Sequence, residues 1–488
     1  MKNDFGTWVS FVGSMLLIVL TSDFAVADAT WDRFRGPNGS GVAENANPPI
    51  EFGPDKNLQW KANLPAGNSS PVFASGRIFI TGFEDSMLKA FCINSKTGDV
   101  IWERAASAES IESHHSLNSP ATSTPAVDDE HVYIYFGSYG MLCYDHDGNE
   151  VWKTPIATPL NMHGTATSPV LYKDYIYLIH DSLDGESYLL ALNKKDGSEA
   201  WKTKRNVFNP NWSTPLLWQK AAGDELIVLG GGRLQSYNPV SGEEQWTVEG
   251  FGAAIPIPIM GGDYLLASSL SATEADSKVN YFSWNYFVQF DKDNNQLVSA
   301  DEIPDSVIIT LDPDLPEGSM PAKTIIQWVD ADNSKSMSEE ELTNFVNMVS
   351  LNVRSSIKAV SSDGMGNSAV VWKYERSIPY MPSSIYLDGR VYLCKDGGVV
   401  TCLDAKTGDE IYRKRLGVTE NYSSSPVAAN GRIYISSQAG KITVFSAGDD
   451  PKTLATNNLD EKINATPMIV GDTIYIRAET TLWAFSKK

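Results

Sequence analysis

The sequence predicts an all-β fold, an eight-bladed β-propeller of four-stranded antiparallel blades, with one small helical insertion in blade five. Three observations predict it. A Ser/Thr-Pro step followed by an aliphatic–aromatic strand recurs along the chain, most plainly in SSPVFASGRIFI (69–80), STPAVDDEHVYIY (123–135), TSPVLYKDYIYL (167–178) and SSPVAANGRIYI (424–435). STPLL (213–217), PIPIMGGDYLL (256–266), SSIYLDGRVYL (383–393) and ATPMIVGDTIYI (465–476) bring the copies to eight. An aromatic residue recurs four residues after a turn glycine, at Trp102, Trp152, Trp201, Trp246 and Tyr412. Third, the strands are apolar on both faces: Ile78 and Ile80 alternate with Phe79, Val391 and Leu393 with Tyr392, and Ile433 and Ile435 with Tyr434. Strands buried on both sides exclude a sandwich with a polar outer face and fit short sheets packed face to face around an axis.

The elements follow in order. The last repeat ends at Phe485-Ser486-Lys487-Lys488 without a fourth strand, while Gln59-Trp60-Lys61 is a tryptophan-bearing strand with no repeat before it. That strand is expected to complete blade eight and close the ring, which removes free sheet edges. The aromatic positions are spaced 50, 49 and 45 residues apart from Trp102 to Trp246, then 126 to Trp372 and 40 to Tyr412. One interval is about 80 residues too long for its period. The excess lies at 272–355, at the tip between the second and third strands of blade five, where insertions are tolerated. The expected organisation is a signal peptide at 1–27, propeller at 28–271, insertion at 272–355 and propeller again at 356–488.

Inside the insertion stand two acidic twelve-residue loops, DKDNNQLVSADE (291–302) and DADNSKSMSEEE (330–341). A hard divalent cation takes six to eight oxygens, and the EF-hand pattern supplies them from positions 1, 3, 5, 7 (a carbonyl), 9 and a bidentate Glu at 12. The first loop offers Asp291, Asp293, Asn295, the carbonyl of Leu297, Ser299 and Glu302. The second offers Asp330, Asp332, Ser334, the carbonyl of Ser336, Ser338 and Glu341. Val298 and Met337 hold the apolar position 8 that pairs such loops. Calcium is the expected cofactor. Position 6, which favours glycine, carries Gln296 and Lys335, so the sites are expected to be weak, roughly 10⁻⁴–10⁻³ M. Between and around the loops, Phe282, Phe287, Ile325, Ile326, Trp328, Leu342, Phe345 and Val349 are expected to form a separate helical core.

Lys2, an apolar run from Trp8 to Leu20 and Ala25-Val26-Ala27 fit a secretory signal peptide cleaved after Ala27. The run is short for a bilayer span and no second one follows, so an exported protein, periplasmic or extracellular, without a transmembrane segment is expected. A formal charge of −21 argues against nucleic acid and anionic membrane surfaces. Four cysteines are too few for a disulfide framework. Cys92, Cys143 and Cys402 hold one repeat position as small buried residues; only Cys394 and Cys402 are close enough to be bridged across one hairpin. The residues before each Ser/Thr-Pro step, Asn68, His114, His115, Asn118, His163, Trp212, Tyr380, Tyr422 and Asn464, are expected to ring one channel mouth, either as a solvated rim or as a polar ligand site. His114-His115 is not a metal motif alone, because neighbours in an extended segment point apart and no third ligand is assignable.

The Asp/Asn, Gly and Trp fingerprint, with WDRFRGPNGSGV at 31–42, resembles the PQQ-binding-like β-propeller repeats of the quinoprotein alcohol dehydrogenase-like superfamily. The resemblance runs from about Trp31 to the C-terminus, and the insertion resembles an EF-hand pair. It implies either a quinoprotein dehydrogenase or a non-catalytic propeller similar to the one in the outer-membrane β-barrel assembly machinery. The dehydrogenases use a vicinal Cys-Cys disulfide, a tryptophan floor, a channel calcium and an Asp base, and this chain has no adjacent cysteines. The expected function is therefore a calcium-binding, non-catalytic binding or assembly scaffold with protein partners of the cell envelope. The alternative is a PQQ-dependent oxidoreductase.

Overall fold

A computed structural model describes residues 30–161, 163–183, 185–206, 211–269, 283–310, 319–332, 334–348, 355–363 and 367–487. The predicted signal peptide lies outside them. Eight antiparallel sheets form the ring, seven of four strands and one of five. Blade one is built from Val72–Ala74, Arg77–Glu84, Met87–Asn94 and Val100–Ala106, paired in sequence order from the channel outward. The two-faced strand pattern has the expected consequence: Ile78, Phe79, Val391, Tyr392, Ile433 and Tyr434 are all fully buried.

Ring closure is as the orphan strand predicts. Leu58–Asn63 pairs antiparallel with Thr481–Ser486 as the outer strand of blade eight. Blade seven departs from four strands because Val42–Ala43 adds in parallel to its inner strand Val427–Ala429.

Two interactions repeat around the ring and explain the two motifs. The first belongs to the Ser/Thr that opens the inner strand, before a proline in every such repeat except at Ser383. The N–H of Ser70 donates to the hydroxyl of Thr124 in the next blade, Thr124 to Ser168, Ser168 to Thr214, Ser383 to Ser425, Ser425 to Thr466, and Thr466 back to Ser70, all at 3.0–3.1 Å. Ile257 N–H donates to Ser383 Oγ at 3.0 Å. Because residue 257 carries no hydroxyl, the circle lacks only the Thr214-to-257 bond.

The second belongs to the tryptophans. Five outer-strand tryptophans pack on the turn glycine of the following blade, Trp60 on Gly98, Trp102 on Gly148, Trp152 on Gly197, Trp201 on Gly242 and Trp372 on Gly408. A Cβ at any of these glycines would lie 2.4–2.8 Å from the indole, and their φ is +70 to +84°. The indole N–H then donates to that turn's carbonyl, for example Trp152 Nε1 to Lys194 O at 2.8 Å. A β-bulge one residue before the aromatic position recurs in every outer strand, as at Glu150/Trp152 and Val100/Trp102. Bulged, twisted outer strands are poor templates for edge-to-edge association.

The segment that carries WDRFRGPNGSGV and runs on to Asn47 meets all eight blades. Trp31 and Phe73 exchange backbone bonds in blade one, Val127 N–H donates to Asp32 O in blade two, Arg33 donates to Leu171 O in blade three and Asn38 to Leu217 O in blade four. Gly39 abuts Ile257 of blade five, Arg35 donates to Ser384 O of blade six at 2.8 Å, Val42–Ala43 joins blade seven, and Asn47 N–H donates to Asp472 of blade eight.

The long repeat interval lies between Tyr264–Ser269 and Ser356–Ser362, the second and third strands of blade five. Short helical turns, a ten-residue helix at Glu339–Met348 and two two-stranded sheets occupy it, around Phe287, Val298, Ile303, Ile309, Ala322, Ile325, Ile326, Val329, Met337 and Leu342. Trp328 is 47% exposed, a correction: Ile326–Val329 is a single turn, and Val329 takes the inward position instead. Phe345 packs on the edge of this core, while Phe282 and Val349 lie outside the described residues.

Cys394 stands opposite Val400 and Cys402 opposite Tyr392, so the hairpin register offsets the two thiols and all four cysteines are free and buried. Burial pushes the Cys92 and Cys394 thiols up to about 12.

Two outcomes test this architecture. Gly197→Ala, which forces a Cβ against Trp152, should cost at least about 1 kcal/mol more than Gly76→Ala, which has a similar φ and nothing within 4 Å, in urea denaturation. Deleting residues 56–64 removes Trp60 and bares an edge of blade eight; it should cost at least about 3 kcal/mol. A truncated protein melting like the full chain would place ring closure elsewhere.

Candidate functional site

The two acidic loops are held side by side by a short antiparallel ladder in which Leu297–Ser299 pairs with Ser336–Ser338. Val298 faces Met337, and both are fully buried. The position-8 residues therefore do what their spacing predicts. Each loop brings its carboxylates together: ligand oxygens of Asp291, Asp293 and Glu302 lie within 4.8 Å of one another, as do those of Asp330, Asp332 and Glu341.

Backbone N–H groups organise both sets in the same way. Glu302 accepts from Lys292 N–H at 3.0 Å and from Ser299 N–H and hydroxyl at 2.8 and 2.9 Å. Glu341 accepts from Ala331 N–H at 3.0 Å and from Ser338 N–H and hydroxyl at 2.9 and 2.8 Å. Asp291 accepts from Asn295 and Gln296, and Asp330 from Ser334 and Lys335. The Ser299 N–H, with the other donors, holds the Glu302 carboxyl below its ordinary range. At Glu341 partial burial acts in the opposite sense, and the Ser338 donors outweigh it. Ser334 N–H does the same for Asp332.

Position 6 carries the backbone conformation that favours glycine without the glycine: φ is 64° at Gln296 and 67° at Lys335. The loops differ at position 5. Asn295 Oδ1 accepts from Leu297 N–H at 2.7 Å, whereas the Ser334 hydroxyl donates to the Ser336 carbonyl at 3.2 Å, one of the predicted ligand oxygens.

The predicted channel rim divides. Asn464 donates to Asn68 at 3.4 Å, Asn68 to Leu117 O, His115 N–H to His163 O, and Trp212 Nε1 to Gly164 O, so successive connections are laced together. His114, His115, His163 and Tyr380 are exposed. Tyr422 is a correction: it is buried and donates to Val418 O at 3.1 Å, inside the wall. Sequence reasoning missed Glu112, which burial raises above the ordinary carboxyl range although Thr165 N–H and hydroxyl donate to it at 3.0 and 2.7 Å.

The family model described as outer membrane protein assembly factor BamB matches residues 52–205 and 354–453, a little over half of the chain. The chain belongs to this family. Among BamB-family relatives, it is 26% identical over 173 residues to the outer membrane protein assembly factor BamB of Kangiella koreensis, covering 34% of this chain and 39% of that one. It is 24% identical over 224 residues to the BamB of Moranella endobia, 44% of this chain and 53% of that one. A polyvinylalcohol dehydrogenase from Pseudomonas sp. is 24% identical over 35% of this chain and 29% of its own. The match thus spans about half or less of each curated relative. Among solved structures, BamB from Moraxella catarrhalis aligns over 88% of this chain and 98% of its own, with TM-score 0.52 and 11% identity. The quinohemoprotein alcohol dehydrogenase of Comamonas testosteroni aligns over 94% and 81%, with TM-score 0.55 and 10% identity. At such identities the likeness is one of fold, shared by the scaffold and the dehydrogenases alike. No helix among the described residues is long and apolar enough to cross a membrane.

Proposed function

We propose that this chain is an exported, calcium-binding propeller that acts as a non-catalytic binding or assembly scaffold for protein partners of the cell envelope. The observation that carries the calcium reading is the pairing of two loops through Val298 and Met337, each with three carboxylates within mutual reach. The donor set fits a hard cation: carboxylates, an amide or hydroxyl oxygen and a loop carbonyl, with no soft ligand among them. Asp291, Asp293, Asn295, the Leu297 carbonyl, Ser299 and Glu302 would hold one ion, and Asp330, Asp332, Ser334, the Ser336 carbonyl, Ser338 and Glu341 the other. Family membership supports the scaffold reading, since the curated BamB relatives are named as assembly factors. Export rests on the signal-peptide pattern at 1–27.

A quinone fits this chain less well. Cys92, Cys143 and Cys394 stand on different blades, Cys402 is offset from Cys394, and all four thiols are free. The Trp31–Ala43 segment, moreover, is packed against seven of the blades. The residues present do not supply the vicinal disulfide of the dehydrogenases.

In calorimetry, Glu302→Gln and Glu341→Gln should each remove one of two calcium sites, with the first loop the tighter because Ser334 must first release the Ser336 carbonyl. Unchanged binding in both variants would sink the assignment. Replacing residues 272–355 by an Asn-Gly turn should leave a folded propeller that no longer binds calcium, because Tyr264–Ser269 and Ser356–Ser362 already pair as a hairpin stem. Calcium binding that survives this excision would place the metal elsewhere.

A further inference from the structure

The chain contains two Asn-Gly steps, Asn38-Gly39 and Asn430-Gly431, and the fold treats them oppositely. Their backbones are alike, with φ of +46 and +67° at the first step and +48 and +66° at the second. At the first, Asn38 Nδ2 donates to Leu217 O at 2.8 Å, Gly39 is buried with its N–H on Gly36 O at 3.0 Å, and a Cβ there would lie 2.9 Å from Ile257. At the second, both residues are exposed at the tip of a two-residue turn that joins Val427–Ala429 to Arg432–Ser436, and nothing lies within 4 Å of where a Cβ on Gly431 would stand. Gly431 is engaged through its carbonyl, which accepts from Ala447 N–H at 2.8 Å.

We propose that Asn430 is a site of spontaneous deamidation, and that its conversion loosens the blade-eight end of the segment that runs from Trp31 to Asn47. The Gly431 main-chain nitrogen gives its proton to hydroxide and attacks Asn430 Cγ. The new N–C bond closes a five-membered succinimide, the bond from Cγ to Nδ2 breaks, and ammonia leaves with a proton taken from water. Water then opens the ring at either carbonyl, giving aspartate or isoaspartate. Glycine offers no side chain to obstruct the attack, and its open backbone allows the approach. The cost in this fold is one exposed bond, from Asn430 Nδ2 to Asn47 Oδ1 at 3.1 Å. That bond is also what the product loses. Asn47 Oδ1 accepts from Asn430 and from Arg432 Nη2, while Asn47 N–H donates to Asp472 at 2.8 Å. Deamidation turns the first donor into a carboxylate that faces Asn47 Oδ1 and competes for Arg432. The isoaspartyl product further adds a methylene to the main chain of a two-residue turn, which no longer matches the Ala429–Arg432 register.

The full chain, aged at mildly alkaline pH and mapped by mass spectrometry, tests the site. Residue 430 should gain the mass that exchange of NH2 for OH brings while Asn38 stays intact; in denaturant both steps should convert. Gly431→Ala, whose Cβ enters open space, should slow conversion at 430 at least about tenfold. Asn430→Gln should abolish it, and serves where the positive φ keeps the alanine variant from folding. In the converted fraction, separated by its added negative charge, the Asn47 amide should exchange its hydrogen faster, whereas the Thr124 amide in the hydroxyl circle should keep its rate. The proposal is overturned if native residue 430 stays intact while the denatured chain converts, if Asn38 converts as fast as Asn430 in the folded protein, or if Asn47 exchanges alike in both fractions.

Discussion

Everything in this molecule depends on making eight blades add up to a full turn, and the circle of Ser/Thr hydroxyls is the contact that enforces it. Each hydroxyl accepts the N–H of its counterpart in the preceding blade at 3.0–3.1 Å, so neighbouring inner strands are locked at one separation and one height. These groups are buried, and a buried N–H left unpaired costs more than a made bond contributes, so the circle acts by making every other arrangement unfavourable. A proline, with its fixed φ, follows in every blade but the sixth, where Ser384 takes its place. At the rim the tryptophan-on-glycine contact performs the same task farther from the axis, where a small angular error becomes a large displacement.

The joint between blades four and five tests this account, because it lacks both contacts. Ile257 brings no hydroxyl, and Trp246 donates within its own blade, to Glu225 at 2.8 Å. Other groups hold the joint. Glu225 is buried yet accepts from Lys220, Ser236, Trp246 and Ser362, the last from blade five, so its charge is paired and its oxygens are occupied. The two stems of the insertion grip the crossing between the blades: Gly252 N–H donates to Ser269 Oγ at 3.0 Å, while Lys358 donates to Gly250 O and lies 4.1 Å over the Phe251 ring. The repeat that departs furthest from its siblings in sequence is thus the one that needs, and has, its own fastening.

The fold was legible because it is periodic, and what escaped the sequence is what happens once or between repeats. Blade number, the strand that closes blade eight and the place of the insertion all follow from counting copies. The partner of each tryptophan does not: a period of about 50 residues looks the same whether Trp102 packs on Gly98 or on Gly148, and only the geometry selects Gly148. WDRFRGPNGSGV has no second copy, so its contacts with seven of the blades left no pattern to read. Trp328 was misplaced because a four-residue helix is too short to establish a 3.6-residue period. The loop carboxylates were legible in full, since a twelve-residue spacing is local, whereas the meeting of His115 with His163 is set by two connections 48 positions apart.

The acidic loops lie on a segment that the ring does not need for its closure, and this separation has a physical basis. The buried hydroxyl circle and the aromatic joints use backbone groups and apolar faces, leaving the tips and connections free to carry charge and imidazole at little cost to the core. The acidic loops show the same economy of placement. Three carboxylates stand within 4.8 Å of one another, and the backbone donors around Glu302 and Glu341 favour their charged forms there. In a blade core such a cluster would compete with packing. On an insertion that joins the propeller through one hairpin stem, the cluster instead stands apart from the blade packing.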